Sequence, residues 1–542
     1  MKTGEHQSNQ STGARVPAVA RRLANTARDA VPALAAGLVA SLAATLVMLL
    51  LRLTLGSVTL PELVGERILP QLDAGTFVRL LIQFGKVAPL LETLAGQIVL
   101  GVLVAPVYPL LARRLASRWP VRAGWLAASA LALAEWLVAL LLFWPVLAEN
   151  LSGFPVGAAR GWTVVGLALI FAVYAAVLAL TYQALVRPAG SAATVGDADA
   201  PNPARRALLA RSAVAAAGGV VLGGAGLGGL LGAVNARSNL AYEGMTTPAP
   251  TEPITPANQF YVVSKNVLDP EVALANWDLE VAGLVRQPGR YTLPALRALP
   301  METRAITLEC IANGVDGHLI STAMWRGVTL EALLAAHGGA LPGAAHLVFT
   351  GADGYVSSLP LADLLAAGTL LTCDMNGAPL PKRHGYPLRA VVPGRFGEQS
   401  AKWLTRIELV AAPVKGFYQQ QGWYSGPLYT ISRIDGPGKH DRLPAGQPVR
   451  IHGIAFGGTR GIQRVEVSVD GGVTWRLASF PPPLSSQAWA LWHLDWTPTT
   501  PGATELIVRA TDGTGAPQIA TARGTVPNGG TGLHHVPVIV VA

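Results

Sequence analysis

Histidine is almost missing from the first 300 residues: the chain of 542 has ten, and only His6 precedes Met301. No C-x-x-C-H occurs anywhere. Neither a bis-histidine haem nor a c-type haem can be built from such a chain. No haem is therefore expected in it, and its electron carrier, a cytochrome or a quinone, is expected to be a partner. Charge is scarce too. Charged residues make up 13% and hydrophobic ones 51%, with a mean hydropathy of +0.39. A chain this apolar is not soluble throughout, and part of it belongs in a bilayer. The net charge of +9 does not point to nucleic acid, because most arginines before residue 212 stand in short clusters beside apolar runs, as in cytoplasmic loops. Cysteine is the third shortage, with only Cys310 and Cys373. In an exported domain two cysteines suggest one disulfide, and the residues alone leave that reading open beside a chemical role for one thiol.

What is present first is apolar length. Runs at about 31–51, 93–111, 123–148, 162–186 and 212–234 each approach the roughly 20 residues that a bilayer core requires. Arg15, Arg21, Arg22 and Arg28 precede the first run. Arg113, Arg114, Arg118 and Arg122 lie between the second and third, and Arg187, Arg205, Arg206 and Arg211 between the fourth and fifth. By the positive-inside rule these groups are cytoplasmic, so five spans place everything after about residue 235 outside. The outer stretch 52–92 opposes this with Arg67, Arg79 and Lys86.

The fifth run, "NPARRALLARSAVAAAGGVVLGGAGLGGLLG", is rich in Gly and Ala and follows an arginine pair. It resembles a twin-arginine export signal, which passes domains already folded around a cofactor. Arg205 and Arg206 as ordinary positive-inside anchors of a small-residue helix is the other reading, and both stay open. Glu135, in the middle of the third run, is either a protonated packing residue or a proton or quinone contact.

A Pro/Thr-rich linker, residues 235–258, leads to the soluble part. From 259 to 425 β-like runs such as "WDLEVAGLV" and "HLVFTGADGYVSSL" alternate with helical "TLEALLAAHG" and "LADLLAAG", a mixed α+β pattern. From 426 to 542, "PVRIHGIAFGG", "RVEVSVDGGVTW", "WALWHLDW" and "TELIVRATDG" alternate apolar and polar residues between turns. "DGG" at 470–472 signals a tight hairpin. The expectation is an immunoglobulin-like β-sandwich without the cross-sheet cysteine pair.

"ITLECIANG", "WRGVTLEALL", "FTGADGY", "CDMNGAPLPKRHGYPLRAVVPG" and "AKWLTRIELV", in this order and ahead of the β-rich part, resemble the sulfite oxidase family of molybdenum-cofactor enzymes over about 255–542. The resemblance does not cover the first 240 residues. With the apolar runs, the expectation is a multi-domain chain that begins with a basic cytoplasmic amino terminus (1–30), an all-α transmembrane bundle of about five helices (31–234) and the linker. A sulfite-oxidase-type α+β molybdopterin domain and an immunoglobulin-like dimerisation domain follow, the latter a homodimer contact in related enzymes.

The resemblance also implies site residues. Cys310 matches the family's metal ligand, and a soft thiolate suits a high-valent molybdenum held mainly by a pterin dithiolene. Cys373 falls on a position that is commonly aromatic. Asp353, His384, Arg389, Ser400, Ala401 and Lys402 match positions that hold the cofactor, its phosphate tail taking cationic and backbone donors. The family's arginine in an F-x-R-N-like stretch becomes Lys265 in "VSKN", flanked by Ser264 and Asn266. The charge is kept and the bidentate fork is lost. The family's active-site tyrosine falls on Trp423, with Tyr424 next to it, and Trp423 is either a pocket residue or a structural aromatic.

The sequence therefore predicts a multi-pass membrane protein whose periplasmic or extracellular molybdenum oxidoreductase transfers an oxygen atom on a small anionic or sulfur-containing substrate. Sulfite oxidation leads, with Lys265 and Arg433 holding the anion. Reduction of a sulfoxide fed by the quinone pool is the alternative reaction, and a membrane-anchored receptor the non-enzymatic one.

Overall fold

A computed structural model of the chain describes residues 18–55, 57–68, 71–72, 76, 87–147, 156–186, 203–238, 252–266 and 269–542. His6, Arg15, Arg79, Lys86, Arg187 and the middle of the linker lie outside the described residues. The chain forms two compact units. One holds 1–50, 94–142 and 166–231; the other holds 51–93, 143–165 and 232–542.

The first unit is helical, built from α1 (Ala18–Leu55), α3 (Val87–Val104), α4 (Val107–Ala116), α5 (Ala123–Phe143), α6 (Val156–Val186) and α7 (Pro203–Ser238). α2 (Leu60–Ile68) belongs to the second. Five helical stretches among the described residues are long and apolar enough to cross a membrane: Ala30–Leu55, Thr93–Ala116, Ala123–Val146, Ala158–Val186 and Arg206–Leu230. Small residues let α1 and α3 approach closely, as apolar helices need when lipid supplies no hydrophobic drive between them. A Cβ on Gly37 would lie 2.5 Å from that of Ala105. Some buried polar groups bond internally, Gln97 donating to Thr45 Oγ1 at 3.3 Å and Tyr174 to the Gly101 carbonyl. Glu135 on α5 has no hydrogen bond at Oε2, so the hydrogen-bonded packing role is not what the structure shows for that atom.

In the second unit the strands are β1 (Leu279–Gly283), β2 (Gly289–Tyr291), β3 (Met301–Glu309), β4 (Ile320–Thr329), β5 (His346–Gly351), β6 (Val356–Pro360), β7 (Leu370–Met375), β8 (Ala378–Pro379), β9 (Arg389–Val391) and β10 (Leu404–Val410). They make two sheets. One has the order β2-β1-β10-β5-β6, and the other β3-β4-β7-β8 with β9 on β7. β1 and β10 run parallel, which requires a crossover, and the whole second sheet is threaded between them. Short helices cover the sheets: α8 (Leu293–Arg297), α9 (Leu330–Ala336) and α10 (Leu361–Ala366). α9 begins where expected because the Thr329 hydroxyl accepts from the Ala332 N–H at 3.1 Å, an N-cap. Its Leu330, Leu333 and Leu334, at helical spacing, enter a core shared with Leu279, Leu347, Phe349 and Leu409.

The remaining strands are β11 (Ile431–Gly436), β12 (Arg442–Pro444), β13 (Val449–Phe456), β14 (Ile462–Ser468), β15 (Arg476–Leu477), β16 (Ala490–Trp496), β17 (Gly502–Asp512) and β18 (His534–Val541). They form a three-stranded sheet β11-β13-β16 and a five-stranded sheet β12-β18-β17-β14-β15 around one apolar core. The "DGG" does not make a two-residue hairpin. Val467 pairs with Arg476, so residues 468–475 form a longer loop. Ser468 Oγ accepts from the Gly472 N–H at 2.7 Å and Asp470 Oδ1 from the Thr474 N–H at 2.9 Å, which satisfies the loop's backbone internally.

Candidate active site

One pocket collects the chemically distinctive residues. It takes in about 1100 Å³ of space between atoms, its open mouth included. Its lining includes Ser264, Lys265, Cys310, Asp353, His384, Arg389, Ser400, Ala401, Lys402 and Trp423. Asn266 is one hydrogen bond away, its Nδ2 donating to Asp353 Oδ2 at 2.8 Å. All these groups sit on loops at strand ends. Cys310 follows β3, Asp353 lies between β5 and β6, His384 and Arg389 flank the entry to β9, and Ser400–Lys402 precede β10.

The Cys310 turn is built by Asn313. Asn313 Oδ1 accepts from the Leu319 N–H at 2.9 Å, and its Nδ2 donates to Glu309 Oε1 at 3.0 Å. The thiol is 7% exposed. Burial first, then the charges of Glu398 and Glu309, push it up to about 12. It is a neutral thiol until a cation enters the pocket and displaces its proton. Cys373 is also a free thiol, buried in the core beneath β1 and β10, whereas Cys310 packs with Phe260, Tyr261 and Trp325. The disulfide reading is therefore wrong: the two sulfurs belong to different cores.

Arg389 is 5% exposed. It donates to the carbonyls of His384 at 3.1 Å and Ser400 at 3.3 Å, and its guanidinium lies 4.9 Å from the centre of the Trp325 ring. Burial lowers it to about 10, so it stays cationic at neutral pH. No carboxylate pairs with it among the described residues. A buried cation surrounded by carbonyls and an indole is electrostatically incomplete, which fits an anionic tail better than a purely structural role. Lys402 adds a second cation, donating to the Arg383 carbonyl at 3.1 Å. Gly385 between them needs its glycine: φ is 105°, and a Cβ would stand 3.0–3.1 Å from those of Lys402 and Arg389.

His384 lines the pocket as a neutral ring. Nε2 donates to the Ala257 carbonyl at 2.8 Å. Burial, then the nearby charges of Arg389, Lys402 and Arg383, lower its pKa to about 3 against the Ala257 bond, so the ring is neutral. In the unfolded chain it takes a proton near pH 6.5, and in the folded chain only near 3. Folding stability therefore falls as pH drops through that window. His384→Gln in cofactor-free protein is expected to remove this loss, a gain of about a few kcal/mol relative to wild type at pH 4. Denaturant midpoints at pH 7 and pH 4 for both proteins check it. The difference between the two proteins is the quantity to read, because Glu309 and Glu398, both raised to about 8 by burial, act with the opposite sign from pH 4.5 to 8.

Lys265 and Trp423 are committed elsewhere as well. Lys265 Nζ donates to Glu66 Oε1, its side chain 2% exposed, and lies 5.5 Å over the Phe417 ring. Trp423 stacks on Tyr418 at 4.2 Å between ring centres, so it is both pocket-lining and structural. Tyr424 is not in the lining. Arg433 is not either: it pairs with Asp435 at 2.5 Å and donates to the Gly317 carbonyl. The expectation that it holds an anion in this pocket is corrected. Tyr261, Tyr355, Arg383, Glu398 and Tyr418 also line the pocket and were not foreseen. Tyr355 and Glu398 adjoin the recognised "GAD" and "SAKW", and that adjacency was the available signal.

Comparison with known proteins finds two matching domains. The oxidoreductase molybdopterin binding domain matches residues 266–418, and the Mo-co oxidoreductase dimerisation domain matches 428–523. Mitochondrial sulfite oxidase of Macaca fascicularis is 33% identical over 303 residues, 47% of this chain and 54% of the relative. Sulfite oxidase of Arabidopsis thaliana is 29% identical over 338 residues, 52% of this chain and 86% of the relative. Among solved structures the sulfane dehydrogenase SoxCD of Paracoccus pantotrophus matches with a TM-score of 0.46 and 26% identity, covering 53% of this chain and 81% of that one. The chain spans about half the length of the first curated relatives it matches. Pocket and matched domains together define a molybdopterin-binding oxidoreductase. Over residues 266–523 the chain is similar to the sulfite oxidase family.

Proposed function

We propose that the chain is a membrane-anchored oxidoreductase, facing the periplasm or exterior, that transfers an oxygen atom on a small sulfur compound or oxyanion, with sulfite oxidation the leading reaction. One observation carries this: a buried thiol, a buried guanidinium with no carboxylate partner among the described residues and a second cation line a single pocket. In this reading residues 259–425 are the catalytic domain, and 426–542 form an immunoglobulin-like sandwich that pairs with a second copy. Cys310 ligates molybdenum. Arg389, Lys402 and the backbone of Ser400 and Ala401 hold the pterin's phosphate, while Asp353 and Asn266, already bonded to each other, and Ser264 orient its polar edge.

When bound, the molybdenum cofactor supplies the redox change and the transferred oxygen. Sulfite and water give sulfate, two protons and two electrons, and the electrons pass singly to a cytochrome or quinone. The chain's own contribution is charge and shape. Lys265 faces the anion, and the aromatic wall of Tyr261, Tyr355, Tyr418 and Trp423 excludes water, which strengthens each electrostatic contact.

The external placement rests on the cation clusters and on chain continuity. Residues 51–93 and 143–165 fold in one unit with the catalytic part, and with five spans these are the loops on the same side as residues after 235. The arginine pair at 205–206, inside α7, suits twin-arginine export of a cofactor-loaded domain. A second reading, reduction of a neutral sulfoxide with two electrons and two protons to give sulfide and water, gains from one contact. The carboxylate of Glu66 neutralises Lys265.

Purified, molybdenum-loaded protein is expected to turn over sulfite with an artificial electron acceptor. Turnover only of sulfoxide with a reduced donor transfers the assignment to the second reading, and turnover of neither defeats both.

A further inference from the structure

The membrane part contributes more than an anchor. Between the first two spans the sequence "TLPELVGERI", Thr59–Ile68, is a short helix with a capping box: Thr59 Oγ1 accepts from the Glu62 N–H at 3.3 Å, and Glu62 Oε2 from the Thr59 N–H at 2.8 Å. Arg52 holds the same carboxylate at 3.1 Å. At the other end Gln71 donates to the Arg67 carbonyl at 2.8 Å. Leu72 then packs on the aromatic cluster that includes Phe417, Tyr418 and Trp423. The segment is fixed at both ends and seated on the wall of the candidate active site.

One turn beyond Glu62, on the same helix face, stands Glu66. A carboxylate in the last turn of a helix is disfavoured by the helix dipole, so its placement needs an external reason. That reason is Lys265, with which Glu66 forms an ion pair whose side chains are 2% and 10% exposed. Lys265 is the residue that replaces the family's arginine in the oxyanion pocket. A buried ammonium already matched by a carboxylate offers an incoming dianion little net charge, because the anion must share or displace its partner.

We propose that Glu66 is a specificity-determining residue contributed to the oxidoreductase site by the loop between the first two spans, lowering the site's affinity for anions relative to neutral sulfur substrates. This rests on the oxygen-transfer reading above and names which ligands that site prefers. Glu66→Gln keeps the side chain's shape and removes one negative charge beside Lys265, so the variant site should take an anion more readily. Glu62→Gln loosens the same helix without changing charge at Lys265 and serves as the control.

Equilibrium binding of inorganic sulfate to full-length, molybdenum-loaded protein reads the effect directly, and the sulfite-to-sulfoxide ratio of kcat/KM reads it in turnover. Glu66→Gln is expected to tighten sulfate binding by about tenfold or more, the scale of one charge a few ångströms away, and to shift the kcat/KM ratio toward sulfite. Glu62→Gln should do neither. If Glu66 is only a structural staple, Glu66→Gln lowers the melting temperature and leaves sulfate affinity unchanged, which overturns the proposal while the enzyme reading stands. Wild-type protein that carries no molybdenum overturns both.

Discussion

Cys310→Ser is expected to abolish turnover while leaving the protein folded. The serine oxygen is harder and a weaker donor toward a high-valent metal than thiolate sulfur, and its hydroxyl proton is far less readily displaced. A loss above about a thousandfold, or about 4 kcal/mol of transition-state stabilisation, is predicted. The surrounding turn does not depend on the sulfur. Asn313 supplies its bonds, and the Cys310 N–H donates to the Leu319 carbonyl at 2.9 Å through the backbone. Cys373→Ser should keep full activity and lose about 1 kcal/mol of stability, since a 1% exposed thiol among leucines becomes a buried hydroxyl. Activity and melting temperature of the two variants, measured side by side, check the asymmetry. Equal loss in both would mean that the sulfurs act together, against their placement in separate cores.

Arg389→Met is expected to empty the cofactor site. The guanidinium is buried, and its partners are carbonyl oxygens and the Trp325 face. A phosphate tail would be its only full counter-charge, and losing such a buried charge pair typically costs about 2–5 kcal/mol, so retained molybdenum should fall at least about thirtyfold. Cofactor-free protein should change much less, by about 1–3 kcal/mol for the carbonyl bonds lost. A variant that keeps its molybdenum would remove Arg389 from the cofactor's contacts.

How far the sequence could be read depended on whether the deciding interaction was local. α9 and α10 were legible because leucines at helical spacing and a threonine cap lie within one short window. The pocket residues from Asp353 to Lys402 were legible because each sits in a motif a few residues long. Arg433 misled because a single "SRID" says nothing of Asp435 turning back on it or of Gly317, 116 residues away, accepting from it. The neutrality of the His384 ring was not legible either, because it comes from burial and from the charges of Arg389, Lys402 and Arg383 around it. Glu66 was out of reach: the partner it meets lies 199 residues further along the chain, beyond four more runs of membrane-spanning character.

Elemental analysis of the purified full-length protein, with pterin and phosphate measured on the same sample, tests the central claim most directly. The account predicts about one molybdenum and one phosphorylated pterin per chain, both lost together when Arg389 is replaced and the pterin kept when Cys310 is replaced. Protein that is folded and exported yet carries neither molybdenum nor pterin would contradict it.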